Sequence, residues 1–457
     1  MELARKLRGI LPGSGGVHPP SQKIAADMSI TPGPQPAEVF IPLSQHLGTP
    51  CEPLVAKQDR VMVGTRIGDS EGFVSAPVHS SVSGEVTGIV MHPHPTGEDS
   101  LAVVIKSDRL DTLDPAVKPH GNPDELTPEE IRRLVREGGI VGMGGAGFPT
   151  HVKLSPPADK PIELVIINGA ECEPYLTGDY RLMLERGEDV VKGARLIQRA
   201  VGAERVVVAI EETSPQAINA MREAGGPLGM EVVSLPARYP QGAEKTLVDT
   251  ITGKQVPHGK LPMEVGAIVD NVGTAAAIYD AVYMGMPLVE RTLTVAGDGV
   301  ARHANLKVKI GTLVEDVIDH CGGLVGGRGK VIVGGPMMGI AQYTMEVPVT
   351  KTTSGITVLS RETMMKEEPG SFTCIRCGRC VKNCPMNLMP YLIGAYADKG
   401  MWDKLEDLNI EDCMECGCCA YGCPTRNPLV QLCKVGKEGF VRKRSKMEAL
   451  ERAGKED

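Results

Sequence analysis

Cys374-Ile375-Arg376-Cys377-Gly378-Arg379-Cys380-Val381-Lys382-Asn383-Cys384-Pro385 is written a second time as Cys413-Met414-Glu415-Cys416-Gly417-Cys418-Cys419-Ala420-Tyr421-Gly422-Cys423-Pro424. Both stretches read C-x2-C-x2-C-x3-C-P, and each cysteine of the first recurs at one constant offset in the second. In this spacing three closely set thiolates hold three irons of a 4Fe-4S cube, and the fourth cysteine ligates the other cluster. Cys374, Cys377, Cys380 and Cys423 are therefore expected on cluster 1, and Cys413, Cys416, Cys419 and Cys384 on cluster 2. The two halves must fold onto each other. Four thiolates also suit structural zinc, but zinc sites usually pair C-x2-C units, without a third cysteine in step and a following C-P. Cys418 falls out of step and reads as a packed thiol.

The remaining composition bounds the rest of the chain. Its 457 residues suggest about three domains on length alone. The 54 glycines and 35 prolines imply many tight turns and several small units, and a 3 % aromatic content leaves packing to aliphatic side chains. With eight of 13 cysteines placed on clusters, those left do not form a disulfide framework, which points to a reducing environment. Charges at Glu2, Arg5, Lys6 and Arg8, with no apolar core in Met1 to Leu11, make a signal peptide unexpected. Apolar runs such as Val206 to Ile210 are far below the ~20 residues of a membrane span, so a soluble or peripheral protein without a transmembrane segment is expected. A net charge of −8 offers no broad basic field and argues against nucleic acid. Arg442-Lys443-Arg444-Ser445-Lys446 is the one basic run.

Residues 1–35, rich in Gly and Pro, read as an irregular N-terminal arm, and His18, His92 and His94 as hydrogen-bonded loop residues. From Val39 to Ile105 short β-rich runs alternate with glycine turns, which implies a small all-β unit. Thr127-Pro128-Glu129-Glu130 opens a helix with an N-cap threonine, a proline at the first position and a capping-box glutamate, and Gly138-Gly139 closes it. Gly142-Met143-Gly144-Gly145-Ala146-Gly147-Phe148-Pro149-Thr150-His151-Val152-Lys153 follows. Glycines at this density let a backbone approach phosphate, with Lys153 as a cation, although the spacing is neither a GxGxxG fingerprint nor a P-loop. Strand-like runs at 164–167, 206–210, 231–235 and 267–269 alternate with helical segments, one carrying Val190, Ala194, Ile197 and Val201. A mostly parallel sheet is expected, with ligands at its strand C-terminal ends. Thr292 to Val295, Lys307 to Ile310 and the helix Leu313 to His320 read as a compact ββα unit, and Met337 and Met338 as packing residues.

Several of these motifs resemble known families. The steps around Val61 to Gly68 and Ala76 to Val86 are similar to a barrel-sandwich module related to lipoyl and biotinyl carriers. No lysine lies between Gln58 and Val104 to carry a cofactor, so this copy reads as structural. The glycine stretch resembles the flavin loop of the NADH-binding flavoprotein subunit of respiratory complex I. Three further motifs follow in the same order: Asn168-Gly169-Ala170-Glu171-Cys172-Glu173-Pro174, Tyr239-Pro240-Gln241-Gly242-Ala243-Glu244, and Asp270-Asn271-Val272-Gly273-Thr274. That resemblance implies FMN held by Gly142, Gly144, Gly145, Lys153, Asn168, Tyr239, Gly242, Asn271 and Thr274. It implies NADH at Phe148, Glu171, Glu173 and Glu244. The chain departs from it at Met143, where arginine is common, at Ala170, at Ala243, and near Pro156, where a second stacking aromatic is missing.

Over nearly the whole length, with Gly15-Gly16-Val17-His18-Pro19-Pro20 and Gly334-Gly335-Pro336-Met337-Met338-Gly339 included, the chain resembles the C subunits of Rnf electron transport complexes. This implies a multidomain α/β protein: arm 1–35, barrel-sandwich hybrid module 36–115, Rossmann-like α/β FMN/NADH domain 120–290, β-grasp (SLBB) domain 291–360, α-helical two-cluster ferredoxin domain 366–435, and charged tail 436–457. The implied activity is a share in a translocase-type ferredoxin:NAD+ oxidoreductase that couples electron flow to ion transport. The chain would be peripheral on the cytoplasmic face of the membrane and partnered by other subunits, including a ferredoxin-like iron-sulfur subunit. Hydride would pass between nicotinamide and flavin and single electrons between flavin and clusters, so no catalytic acid or base is assigned. A flavin and iron-sulfur cobalamin reductase of bacterial microcompartments, whose glycine loop lies nearer the N-terminus, and an electron relay without NADH activity are the alternatives.

Overall fold

The structure, a computed structural model, describes residues 15–327, 329–366 and 373–453. The charged start at Glu2 to Arg8 and the last four residues of the tail lie outside them. The chain divides into two compact units: Ser21–Leu235 with Pro262–Lys366, and the N-terminal end to Pro20 with Pro236–Leu261 and Glu367–Asp457.

The first unit begins with the β module. An antiparallel sheet runs Glu38–Pro42, Asp99–Ser107, Gly84–Pro93, Arg60–Val61, beside a smaller one of Glu52–Pro53, Arg66–Asp69 and Val78–His79. Alternation sets its faces: Val39, Ile41, Val103 and Ile105 are fully buried, whereas Phe40 between them stacks on His92 with ring centroids 4.1 Å apart. His92 also hydrogen-bonds the Glu346 carbonyl at 2.8 Å, and His94 bonds Thr96.

Next comes the α/β body. The helix Pro128–Glu137 starts with a complete capping box between Thr127 and Glu130, a device worth about 1 kcal/mol. Behind it the strands Glu231–Leu235, Arg205–Glu211, Leu164–Gly169 and Ala267–Asn271 form one parallel sheet in that spatial order. Their near-continuous Val/Ile runs suit a sheet covered on both faces, and Val165, Ile166, Ile167, Val208 and Ile210 are fully buried. Register pairs Asn168 with Asn271, so two asparagines end adjacent strands side by side.

A six-stranded mixed sheet completes the unit, in the order Ile30–Pro32, Ala304–Lys309, Glu290–Ala296, Gly355–Leu359, Lys330–Val333, Ile340–Ala341. The helix Val314–His320 buries Val314, Val317 and Ile318 against Leu293, Val295, Leu306 and Val308. The expected irregular arm is corrected at its end: Ile30, Thr31 and Pro32 pair in parallel with Asn305, Leu306 and Lys307. Thr31-Pro32 carries no alternating pattern. It is an edge strand, where proline costs no ladder bond.

The second unit is helical, with Glu244–Thr252, Arg379–Lys382, Pro390–Ala397, Cys418–Tyr421 and Leu429–Ala453. The sequence repeat is also a backbone repeat. Arg376 and Glu415, Gly378 and Gly417, and Asn387 and Arg426 all have positive φ at equivalent positions, between 53° and 77°. The charged tail expected from residue 436 is instead helix as far as Ala453. Phe440 is buried in the core with Leu388, Ile393, Leu405 and Ile410, and Gly439 lies flat against the Trp402 indole, so apolar packing outweighs the local charge.

Candidate functional site

In the first unit the glycine loop leaves the helix Pro128–Glu137 and is closed at its base. Gly142 N–H donates to the Phe148 carbonyl at 2.9 Å, and Met143 N–H donates to Thr274 Oγ1 at 3.1 Å. At its far end the Gly147 carbonyl accepts Leu47 N–H from the β module at 3.2 Å. Between these anchors Gly144, Gly145 and Ala146 are exposed. A Cβ added at Gly145 would meet nothing within 4 Å, whereas one at Gly144 would sit 3.0 Å from the Asn271 side chain. The loop therefore lies over the paired strand ends, its tip open.

The side chains below it are ordered by local chemistry. Asn271 caps the helix Val272–Tyr279, accepting Gly273 N–H at 2.7 Å, and donates Nδ2–H to Asp179 at 2.6 Å. Asn168 accepts Ala170 N–H at 3.0 Å. Lys153 donates to the Val269 carbonyl at 2.7 Å and stands 3.6 Å from the Asp270 carboxylate. Gly142, Gly144, Gly145, Lys153, Asn168, Asn271 and Thr274 are thus gathered at one end of the sheet. Phe148, half-buried, belongs to the same loop. His151 bonds the Phe73 carbonyl at 3.2 Å and meets the exposed Phe73 ring edge-on, 6.1 Å between centroids.

Both glutamates of the second motif have internal partners. Glu171 accepts the Asp179 and Tyr180 N–H groups at 3.1 and 3.2 Å, at the start of the helix Gly178–Glu185. Burial pushes its carboxyl up to about 7; the Lys23 ammonium opposes that shift and Asp179 adds to it. Asp179 is raised too, by burial, against the Asn271 amide, Arg291 and Lys23. Glu173 accepts Met337 N–H at 3.1 Å and Met338 N–H at 2.7 Å. Met337 and Met338 are therefore not core residues: Met337 is half-buried and Met338 is 45 % exposed. Their backbone, rather than their sulfur, makes the contact.

Three residues of this region escaped the sequence reading. Lys23, read as part of the arm, donates to the carbonyls of Glu171, Glu173 and Leu176, with the first two at 2.6 and 2.9 Å. Asp179 carried no motif. Buried Arg291 donates to the Thr353 carbonyl at 3.1 Å and reaches the Met143 sulfur, so a guanidinium arrives from another strand where the loop itself lacks one. Its strand, Glu290–Ala296, also carries Glu290, Thr292 and Thr294, so an arginine there did not stand out in the sequence.

Tyr239, Gly242 and Glu244 belong to the second unit, with the cysteine runs. Tyr239 is buried, exchanges backbone hydrogen bonds with Val17, and donates its hydroxyl to the Cys416 carbonyl at 2.8 Å. Glu244 opens the helix Glu244–Thr252. The next residue, Lys245, pairs with Asp412 at 2.9 Å, beside Cys413.

The cysteines fall into two groups. Cys374, Cys377, Cys380 and Cys423 line one cavity of about 890 Å³. Cys384, Cys413, Cys416 and Cys419 line a second of about 20 Å³, with Cys418 and Cys433 also in its wall. Each group mixes three cysteines of one run with the last of the other. Cys384 Sγ accepts Leu388 N–H at 3.3 Å, and at the equivalent place Cys423 Sγ accepts Asn427 N–H at 3.4 Å. Such donors suit sulfur that carries charge, and a fourfold thiolate set fits an iron-sulfur cube. Among the described residues no group of three or more His, Cys, Asp or Glu is disposed to hold a single metal ion. Cys433 is hydrogen-bonded to Cys413 and Cys419, and Cys418 to Cys416; the Cys433 and Cys418 thiols are raised, by those hydrogen bonds first and then by burial.

Among the described residues no helix is long and apolar enough to cross a membrane. Family models match four stretches: the RnfC barrel sandwich hybrid domain at 13–110, the Nuo51 FMN-binding domain at 135–280, the SLBB domain at 292–341 and the 4Fe-4S dicluster domain at 373–427. The chain is thus multidomain, with an FMN-binding domain of that type and a 4Fe-4S dicluster domain. It is 46 % identical over 94 % of its length, and 98 % of the relative's, to the C subunit of the Na(+)-translocating ferredoxin:NAD(+) oxidoreductase complex of Acetobacterium woodii. It is 46 % identical over 87 % of both chains to the proton-translocating counterpart of Clostridium ljungdahlii. To the C subunit of the ion-translocating oxidoreductase complex of Rhodobacter capsulatus it is 42 % identical, over 84 % of this chain and 75 % of that one. The chain belongs to the family of C subunits of ion-translocating ferredoxin:NAD(+) oxidoreductase complexes.

Proposed function

We propose that this chain is where an Rnf-type complex meets NAD(H), passing electrons between the nicotinamide, FMN and two 4Fe-4S clusters. The observation that carries this reading is the glycine loop held open over the ends of a parallel sheet, in a chain that also gathers two sets of four cysteines. Its α/β body acts as a Rossmann-like flavin domain, the mixed sheet as a β-grasp and the helical unit as a two-cluster ferredoxin domain. The chain works peripherally on the cytoplasmic face, beside a ferredoxin-like iron-sulfur subunit.

When bound, FMN and the clusters supply hydride exchange and one-electron conduction, and the protein supplies position. The exposed backbone of Gly144 and Gly145, the loop-base residue Gly142 and the side chains of Lys153, Asn168, Asn271 and Thr274 hold the flavin and its phosphate. Tyr239 and Gly242 complete that set, and Phe148, Glu171, Glu173 and Glu244 serve the nicotinamide nucleotide. Cys374, Cys377, Cys380 and Cys423 ligate the first cluster; Cys384, Cys413, Cys416 and Cys419 ligate the second.

A second reading, an electron relay without NADH activity, is favoured by one observation: the Glu171 and Glu173 carboxylates are each held by two backbone N–H groups. Anaerobic reconstitution separates the two. Iron, sulfide and FMN are counted, then flavin absorbance is followed after adding NADH. Bleaching is expected; clusters and FMN without bleaching establish the relay.

A further inference from the structure

The two cysteine cavities are built from one repeated motif and yet differ in access and in charge. The second measures about 20 Å³ and has buried Cys384, Cys416 and Cys419 in its wall. The first measures about 890 Å³, and residues 373–379 beside it, Cys374 and Cys377 among them, are all exposed. A centre beneath exposed cysteines is the one that another protein's centre can approach.

The rim of the first cavity is apolar and cationic. Ile375 is 62 % exposed and Met389 47 %; Arg376 and Lys382 line the cavity with them, and both, like Arg379 between them in the chain, are exposed. Among the described residues Asp398 is the acidic one in the wall. The internal repeat acts as a control within the same chain: the positions equivalent to Arg376, Arg379 and Lys382 are Glu415, Cys418 and Tyr421. Three cations have been placed on one copy of the motif only, in a chain whose net charge is −8. Charge of one sign around a contact point steers an oppositely charged partner and sets its orientation, while the apolar residues within it are desolvated on docking.

We propose that Arg376, Arg379, Lys382, Ile375 and Met389 form the docking surface for an acidic electron-transfer protein bearing a one-electron centre. In the docked pair one electron passes between that centre and the cluster of Cys374, Cys377, Cys380 and Cys423. One side is oxidised as the other is reduced, and no proton or bond moves. This rests on the cluster assignment made above.

The full chain is reconstituted anaerobically, and both clusters are verified by iron and sulfide content and by EPR. A purified acidic 4Fe-4S ferredoxin is the probe, with basic cytochrome c for comparison. Affinity is measured by calorimetry at several salt concentrations and electron exchange by stopped flow. Wild type binds the ferredoxin with an affinity that falls as salt rises, and cytochrome c at least tenfold more weakly. R376E/R379E/K382E weakens ferredoxin binding about tenfold or more and flattens its salt dependence, with EPR signals unchanged; R442E/K446E, charge reversals on the C-terminal helix, alters neither. If R376E/R379E/K382E loses a cluster, R376Q/R379Q/K382Q is used instead, with a smaller loss in the same direction expected. Equal affinity and salt slope in wild type and variant, or no ferredoxin binding by wild type, overturns the docking surface while leaving the clusters standing. Failure of wild type to take up clusters overturns both.

Discussion

Tyr239 donates its hydroxyl to the main-chain carbonyl of Cys416 at 2.8 Å, which joins the Tyr239-Pro240-Gln241-Gly242 segment directly to the second cysteine run. Tyr239 is 2 % exposed, so removing the hydroxyl leaves a buried carbonyl short of a donor, at a cost of about 1–3 kcal/mol. Tyr239→Phe is expected to shift the EPR signal and potential of the cluster held by Cys413, Cys416 and Cys419 and to leave the other unchanged. Loss of FMN with both cluster signals intact would place Tyr239 in the flavin site alone.

Gly335 and Glu173 are fitted to each other. A Cβ at Gly335 would collide with Glu173 Oε2, while that carboxylate accepts two N–H groups from the same turn. Gly335→Ala should destabilise the larger unit by about 1–3 kcal/mol, the usual range for overpacking. Adding Glu173→Ala should recover part of the loss, because the clashing partner is gone. Chemical denaturation of both single variants and the double variant measures the coupling. Strictly additive effects would mean that the pair does not act as a unit.

Local signals carried most of the body of the fold into the sequence. The Val/Ile runs at 164–167 and 206–210, the Thr127 capping box and the C-x2-C spacing each record a short-range rule, and the structure has the strands and the helix where those rules put them. What was not legible depends on partners distant in the chain. Lys23 sits in a Pro-rich stretch with no periodicity, and its role appears only when it meets three carbonyls some 150 residues away. Ile30–Pro32 becomes a strand because Asn305 to Lys307 offers an edge. Tyr239, Gly242 and Glu244 follow the flavin motifs in order yet sort with the cysteine runs, a placement that motif order cannot encode. The tail looked solvated because its charges hid Phe440 and Gly439 on the packed face.

Glu171 makes stability depend on pH in a direction opposite to an ordinary surface carboxylate. Burial raises its pKa from 4.5 to about 7, so between those values the folded chain holds a proton that the unfolded chain has lost. Stability from this group is therefore full below pH 4.5 and declines as pH rises towards 7. Asp179, raised for the same reason, titrates with it. The thermal midpoint of the larger unit should fall between about pH 5 and 7 in wild type, and Glu171→Gln should flatten that fall. A variant that retains the full wild-type slope would move the titration to another group.

Cys384 lies in the first run by sequence and in the wall of the second cavity by structure, with Cys413, Cys416 and Cys419. Its counterpart Cys423 does the reverse and lines the cavity of Cys374, Cys377 and Cys380. A single substitution can therefore separate chain order from ligation. Cys384→Ser should lower the iron content by up to one cluster and remove or broaden the EPR signal of the second cluster, leaving the first. Cys423→Ser should give the mirror result. Both sulfurs accept a main-chain N–H from the residue four positions on, so the local backbone is set alike in the two variants and differences in signal report the ligand rather than the turn. Loss of the first cluster alone in Cys384→Ser would mean that each run closes its own cluster, and that the mixed walls of the two cavities do not reflect ligation.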